Sequence, residues 1–241
     1  MFAMFALVAQ SLIFSMFFQL ALGWDPLKAG LAGLPGAAGA MVGGAALGPP
    51  LIGLLGRARV VALGLAVSAG GFALFLTIGP DTGYPAMLPA MLLSGLGMGA
   101  AMTVTGDTVL ASVPKERSGA AAAISETATE LGGALGMAVL GSVLTAVYRD
   151  ALELPAGTPP PAAAAARDSL AGALEAGAAL PEGVGARVAA TARDAFVTGM
   201  HSALLCAAVL AVAVAVFSLV TLRSVPKVIE EEPEPEPVAA R

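Results

Sequence analysis

Long unbroken apolar runs dominate this chain, with none of the period-two alternation of strands. Six stretches are each close to or above the roughly 20 residues that a helix needs to cross a hydrocarbon core. They fall at 1–22, 30–55, 60–79, 85–112, 118–147 and 198–222. Short polar turns separate the first five. Gly23-Trp24-Asp25-Pro26-Leu27-Lys28 carries an interfacial aromatic, and Gly56-Arg57-Ala58-Arg59 carries two cations. Gly79-Pro80-Asp81-Thr82-Gly83-Tyr84 and Val113-Pro114-Lys115-Glu116-Arg117 turn the chain again. The pattern predicts an all-α membrane protein built as one six-transmembrane-helix bundle in the lipid bilayer.

Composition agrees, since 57% hydrophobic and 12% charged residues leave too little polar surface to clothe a soluble domain. The formal charge of -5 does not mark an acidic surface. Much of it sits in the terminal run Glu230, Glu231, Glu232, Glu234 and Glu236, interleaved with Pro233, Pro235 and Pro237. Like charges and prolines there predict an extended, solvated tail over 223–241. The single Cys206 has no intrachain partner and reads as a small apolar residue. Met1 to Leu22 lacks the basic start of a signal peptide and continues into spanning length.

Basic residues near spanning segments are retained in the cytoplasm. Arg57, Arg59, Lys115, Arg117, Arg223 and Lys227 fall on one side, and the opposite short loops hold only Lys28. Both termini are therefore expected to be cytoplasmic. Helices one to five occupy 1–148, a long extracytoplasmic connection 149–197, the sixth helix 198–222 and the tail 223–241. The connection opens with a Pro and Ala run, Pro155 to Ala166, and continues as two Ala-rich stretches. These predict short surface helices over the bundle mouth, with disorder as the alternative.

Chemistry is sought where charge enters the apolar runs, because an ionisable group in hydrocarbon costs about 2.5–3.5 kcal/mol on insertion scales. Asp107 lies near the cytoplasmic end of the fourth helix, and Glu126 and Glu130 lie in the fifth. Their four-residue spacing puts both glutamates on one helix face. With helix five starting at the boundary at Ser118, Glu126 is about 12 Å deep and Glu130 about 18 Å, near the midplane. Burial and a like charge one turn away both favour a protonated carboxylate, so proton coupling or substrate contact is the functional reading for the three acids. The plain alternative is acids facing a water-filled cavity or bonded to neighbouring helices.

Within the spans only His201 offers a basic partner, as an interfacial hydrogen-bonding residue or a proton relay. The net-acidic interior suits protons and organic cations, and Met87, Met91, Met98 and Met102 form either an adaptable wall or ordinary core. The small pairs Gly39/Gly43, Gly44/Gly48, Gly95/Gly99 and Gly132/Gly136 predict close helix crossings. Pro35, Pro49 and Pro50, with Gly48, predict a bent second helix. No nucleophile motif, glycine-rich phosphate loop or metal-ligand spacing is present, so an enzyme, a cofactor, a metal and a nucleic-acid partner are not expected.

The run VPKERSGAAAAISETATELGGALGMAVLGSVLTAVYRD from Val113 resembles the penultimate spanning segment of the fourteen-helix, QacA-like drug:proton antiporters of the major facilitator superfamily. MFFQLALGWDPLKAGLAGLP resembles a helix, outer loop and following helix of the same family, and the likeness runs from about Met1 to Arg223. The resemblance implies the carboxyl-terminal half of the major facilitator fold and export of lipophilic or cationic small molecules against protons. It implies substrate or coupling roles for Glu126 and Glu130, and a cytoplasmic gating loop at Arg57 and Arg59. Here Gly53-Leu54-Leu55-Gly56-Arg57-Ala58-Arg59 lacks the Asp and second Gly of that loop's pattern. The family needs two halves, so three arrangements stay open: an inert truncation, a half that pairs with a separate amino-terminal half, or a pair of copies. The rival class is a membrane subunit that transports nothing.

Overall fold

The computed structural model of the chain describes residues 1–111 and 113–221. Six of its helices are long and apolar enough to cross a membrane. They are α1 (Phe2–Ala21), α2 (Pro26–Leu55), α3 (Arg57–Phe75), α4 (Tyr84–Ala111), α5 (Ser118–Ala151) and, after the short α6 (Pro160–Asp168) and α7 (Leu170–Ala178), α8 (Glu182–Thr221). The sixth span differs from its expected limits, because the Ala-rich stretch before residue 198 joins it as one continuous helix from Glu182. Leu222 and the acidic tail, with Arg223 and Lys227, lie outside the described residues.

Local chemistry sets the breaks. Gly23 and Gly56 adopt φ of 66° and 84°, the left-handed region, and so end α1 and α2. Asp25 starts α2 by accepting hydrogen bonds from the backbone N–H groups of Leu27 and Lys28, each at 3.1 Å, with Pro26 in the first turn. Within α2 a wide turn at Val42–Leu47 leads into Gly48-Pro49-Pro50. Two prolines cannot donate back to the preceding turn, and the widened helix accommodates the lost bonds. A second wide turn, Phe17–Ala21, finishes α1.

In the bundle α4 packs on both α3 and α2, α3 packs on α8, and α5 sits between α8 and α1. The backbones touch at glycines. A Cβ on Gly39 would lie 2.5 Å from the Leu92 carbonyl oxygen of α4, and one on Gly64 would lie 2.6 Å from that of Gly97. Gly43, Gly95 and Gly99 lie still closer to Leu96, Gly36 and Ala40, as do Gly132 and Gly136 of α5 to Met1 and Phe5 of α1. Three of the four sequence pairs are thus crossing points. In the fourth, Gly44 meets α4 while Gly48 meets only its own helix.

Over 149–197 lie the end of α5, the short α6 and α7, and the first part of α8. Tyr148 donates from its hydroxyl to the Ala166 carbonyl at 2.6 Å, and Arg149 donates from Nε to the Arg167 carbonyl at 3.0 Å. Ser169 caps α7 by accepting from Gly172 N. Leu170 and Ala173 are buried with Val188 and Ala192 of α8, and α7 reaches the wide turn that ends α1.

Gly99→Leu must push α4 off α2. It is expected to destabilise the chain by about 1–3 kcal/mol or to prevent folding. Thermal unfolding of the detergent-solubilised chain measures this, with Gly141→Ala, at a position open to 4 Å, expected to leave the midpoint unchanged.

Candidate functional site

Because α2 is held against α4 and α1 against α5, α1 and α2 meet only near the turn that joins them. The wedge between them is a recess of about 400 Å³ floored by Met91 and Gly95 of α4. Its α1 wall presents Gln10, Phe14, Phe18 and Gln19, with Ser11 and Ser15, and its α2 wall is mostly glycine and alanine. Among the described residues no ionisable side chain lines it. The polar groups are organised: Gln10 Nε2 donates to Ser94 Oγ at 3.0 Å, Ser94 Oγ donates to the Met91 carbonyl at 3.1 Å, and Ser68 Oγ donates to the Ser94 carbonyl at 2.9 Å. Gln19 Nε2 donates to Ser15 Oγ at 2.7 Å. Aromatic faces with amide and hydroxyl dipoles suit a lipophilic guest that carries delocalised positive charge or none.

At the closed end of the wedge an aromatic cluster joins α1, the turn, α2 and α4. Phe18 stacks on Trp24 with ring centroids 5.2 Å apart and an interplanar angle of 5°, and Tyr84 lies 5.8 Å from Trp24. The Tyr84 hydroxyl donates to the Ala32 carbonyl at 3.0 Å. Phe14 adds a ring contact to Phe75 of α3 at 4.3 Å.

The three acids lie elsewhere. Glu126, Glu130 and Asp107 are all exposed on the described chain. Their height along the bundle follows from register: Met1 lies against Gly132, Gln10 reaches Ser94, and Ser68 reaches the same serine. At 1.5 Å per residue Gln10 is about 13 Å from Met1 and Ser68 about 16 Å from Arg57. Met1, Gly132 and Arg57 therefore share one level to within about a turn. Glu130 is about 3 Å, and Glu126 about 9 Å, further out along α5 than Gly132. By this register Glu130 stands near the level of Arg57, where α2 ends and α3 begins.

Arg57 is half-buried and donates from Nη1 to Thr108 Oγ1 at 3.2 Å, while its Nε is buried with no partner among the described residues. Asp107 is next to Thr108, yet among the described residues no ion pair joins it to Arg57. Arg59 is exposed. Met87, Met91 and Met98 are core, and only Met91 reaches the recess. His201 Nε2 lies 2.7 Å from the Ile78 carbonyl and, since that oxygen only accepts, carries the hydrogen; it ties α8 to the end of α3. The recess residues Gln10, Ser11, Ser15 and Gln19 were not singled out by sequence. The signal was there, as polar and aromatic residues recurring at three- and four-residue spacing along one face of an apolar helix.

The family model described as Major Facilitator Superfamily matches residues 1–149. The multidrug efflux pump LfrA of Mycolicibacterium smegmatis is 39% identical over 197 residues, covering 82% of this chain and 39% of that protein. The tetracenomycin C resistance and export protein of Streptomyces glaucescens is 28% identical over 97% of this chain and 45% of its own length. The methyl viologen resistance protein SmvA of Salmonella typhimurium is 31% identical over 81% of this chain and 39% of its own length. The chain thus spans under half the length of these curated relatives.

Ser94→Ala removes the acceptor of Gln10 and leaves its amide against an apolar floor. A loss of about 1–2 kcal/mol is expected in thermal or denaturant unfolding of the solubilised chain. Ser94→Thr, which keeps the hydroxyl, is expected to restore part of it.

Proposed function

Because the chain belongs to the Major Facilitator Superfamily and is a multi-pass protein of the plasma membrane, we propose that it forms one half of a proton-coupled exporter of lipophilic and cationic compounds. The observation that carries the reading is the uncharged, aromatic and amide-lined recess between α1 and α2, in a chain whose relatives are efflux and resistance proteins. The methyl viologen relative favours a cationic substrate class.

The surface supports a missing half. Exposed positions on α8 are large and apolar, namely Leu205, Val209, Val212, Val216, Phe217 and Val220, which suits lipid. Exposed positions on α5 mix Ala122, Ala123, Glu126, Thr127, Glu130, Ala134 and Ser142 with the large apolar Ile124, Leu131, Leu135, Met137 and Val139, and α2 likewise mixes Gly30, Gly33, Ala37, Ala38, Ala45 and Ala46 with Leu27, Leu31, Leu34, Met41 and Leu54. Small and polar residues suit close contact with other helices. A second half set against α1, α2 and α5 would close the recess into a cavity and cover the two glutamates. Glu130 and Glu126, with Asp107 nearby in height, are then the proton-coupling groups at one mouth of that cavity, and Arg57 with Arg59 forms the gate at the same mouth. Both termini are cytoplasmic in this reading, so the mouth is the inner one. The ETxxELGGALG run over Glu126 to Gly136 supports the fourteen-helix, quaternary-ammonium branch as the finer reading.

Export is tested in inverted membrane vesicles that contain this chain together with the amino-terminal half of a related exporter. An acid-inside gradient is expected to drive uptake of a fluorescent organic cation, and Glu130→Gln is expected to reduce it by at least about tenfold. No uptake with the second half present would instead support the non-transporting subunit. Orientation is read in intact cells after Cys206→Ser: a cysteine replacing Thr158 is expected to react with a membrane-impermeant maleimide, and one replacing Arg59 is expected to remain unlabelled.

A further inference from the structure

One cation in the molecule already rests on an aromatic face. Lys28 Nζ lies 4.1 Å from the centroid of the Trp24 ring. Phe18 stacks on that ring, so the ammonium takes the face that Phe18 leaves. Lys28 makes no ion pair among the described residues, and its side chain is exposed, free to swing into water. The ring is held more firmly than its occupant. Trp24 N donates to the Phe18 carbonyl at 3.0 Å, Tyr84 packs on it from α4, and Phe18 is itself buried and lines the recess from the other side. Asp25, next in sequence, keeps its carboxylate at this end of α2, where Oδ1 caps the helix.

We infer that the Trp24 face, flanked by Tyr84 and Asp25, is a binding site for lipophilic organic cations, and that Lys28 is its tethered resident competitor. An ammonium on a flexible stem is strongly hydrated and holds an exposed ring weakly. A quaternary ammonium or aryl phosphonium sheds less water and adds apolar contact to the same electrostatic attraction, so it displaces Lys28. The site lies just across Phe18 from the recess, which makes it a second station for the same class of guest, beside the turn between α1 and α2. The guest class rests on the exporter reading; the binding itself needs neither a gradient nor a second half.

Trp24 is the chain's one tryptophan, so its fluorescence reports the site directly. The full chain in detergent is titrated with tetraphenylphosphonium, and with neutral triphenylphosphine oxide at matched concentrations. Saturable quenching by the cation and only linear, non-saturating quenching by the neutral probe are expected. Lys28→Ala removes the competitor and is expected to tighten the cation about two- to fivefold, with Lys28→Arg close to the parent chain. High salt screens longer-range repulsion by Lys28, so the gain is expected to persist there. Circular dichroism checks that each variant folds. Equal affinity in Lys28→Ala and the parent chain, loss of the gain in salt, or saturable binding of the neutral probe overturns the inference. Binding as described without transport in the vesicle assay leaves this site standing and removes the exporter reading.

Discussion

Backbone contact at glycine is the constraint from which the rest of this bundle follows. In lipid no hydrophobic drive pulls apolar helices together, so association depends on dispersion at close range. Gly39, Gly43, Gly95 and Gly99 hold α2 to α4, Gly64 and Gly97 hold α3 to α4, and Gly132 and Gly136 hold α5 to α1. Nothing comparable draws α1 and α2 together. They diverge from their shared turn, and the recess is the space that results. The polar stripe on α1 faces that space because the opposite face, with Phe5, Ala9 and Ile13, is committed to the core.

The wedge is braced at its closed end. Phe18 stacks on Trp24 with Tyr84 tilted against both, Phe14 carries the cluster to Phe75, and the Tyr84 hydroxyl secures α2 through the Ala32 carbonyl. The arm of α6 and α7 adds a second brace, fastened by Tyr148 to α5 and resting on the wide turn of α1. The opposite end exposes Leu47, Pro49, Pro50 and Leu54 of α2 and Ile124, Glu126, Thr127 and Glu130 of α5, with no comparable brace among the described residues. Rigidity is thus concentrated near Trp24. The openness lies near Arg57.

Much of this was legible in the sequence, for definable reasons. Apolar length gave six spans because lipid imposes a length on every crossing helix, and small-xxx-small spacing gave three of the four glycine crossings. The Gly64/Gly97 contact escaped because its partners are Ser68 and Ala101, which break the glycine pattern. The extension of α8 before residue 198 escaped because its buried Val188, Ala192, Ala195, Phe196 and Val197 are interleaved with the exposed Ala186 and Ala190, which blur the period in an alanine-rich chain. The level of Glu130 against the other helices was not legible for a different reason. The level of a helix against its neighbours leaves no signal in its own sequence, and the contacts of Gly132 with Met1 and Gly136 with Phe5 set the offset between α5 and α1.

That offset changes what the two glutamates need. At mid-membrane a carboxylate is costly wherever it faces, and its presence alone argues for a function. At the Arg57 end, on an exposed face, water or headgroups can solvate it, and the sequence tolerates it at little cost. The environment that favours a bound proton must then be supplied by whatever covers α5, through desolvation or a neighbouring charge. Arg57 lies at the same level, with Nη1 donating to Thr108 and Nε buried without a partner among the described residues. Coupling, in this reading, is a property of the assembled interface and is not stored in either half alone.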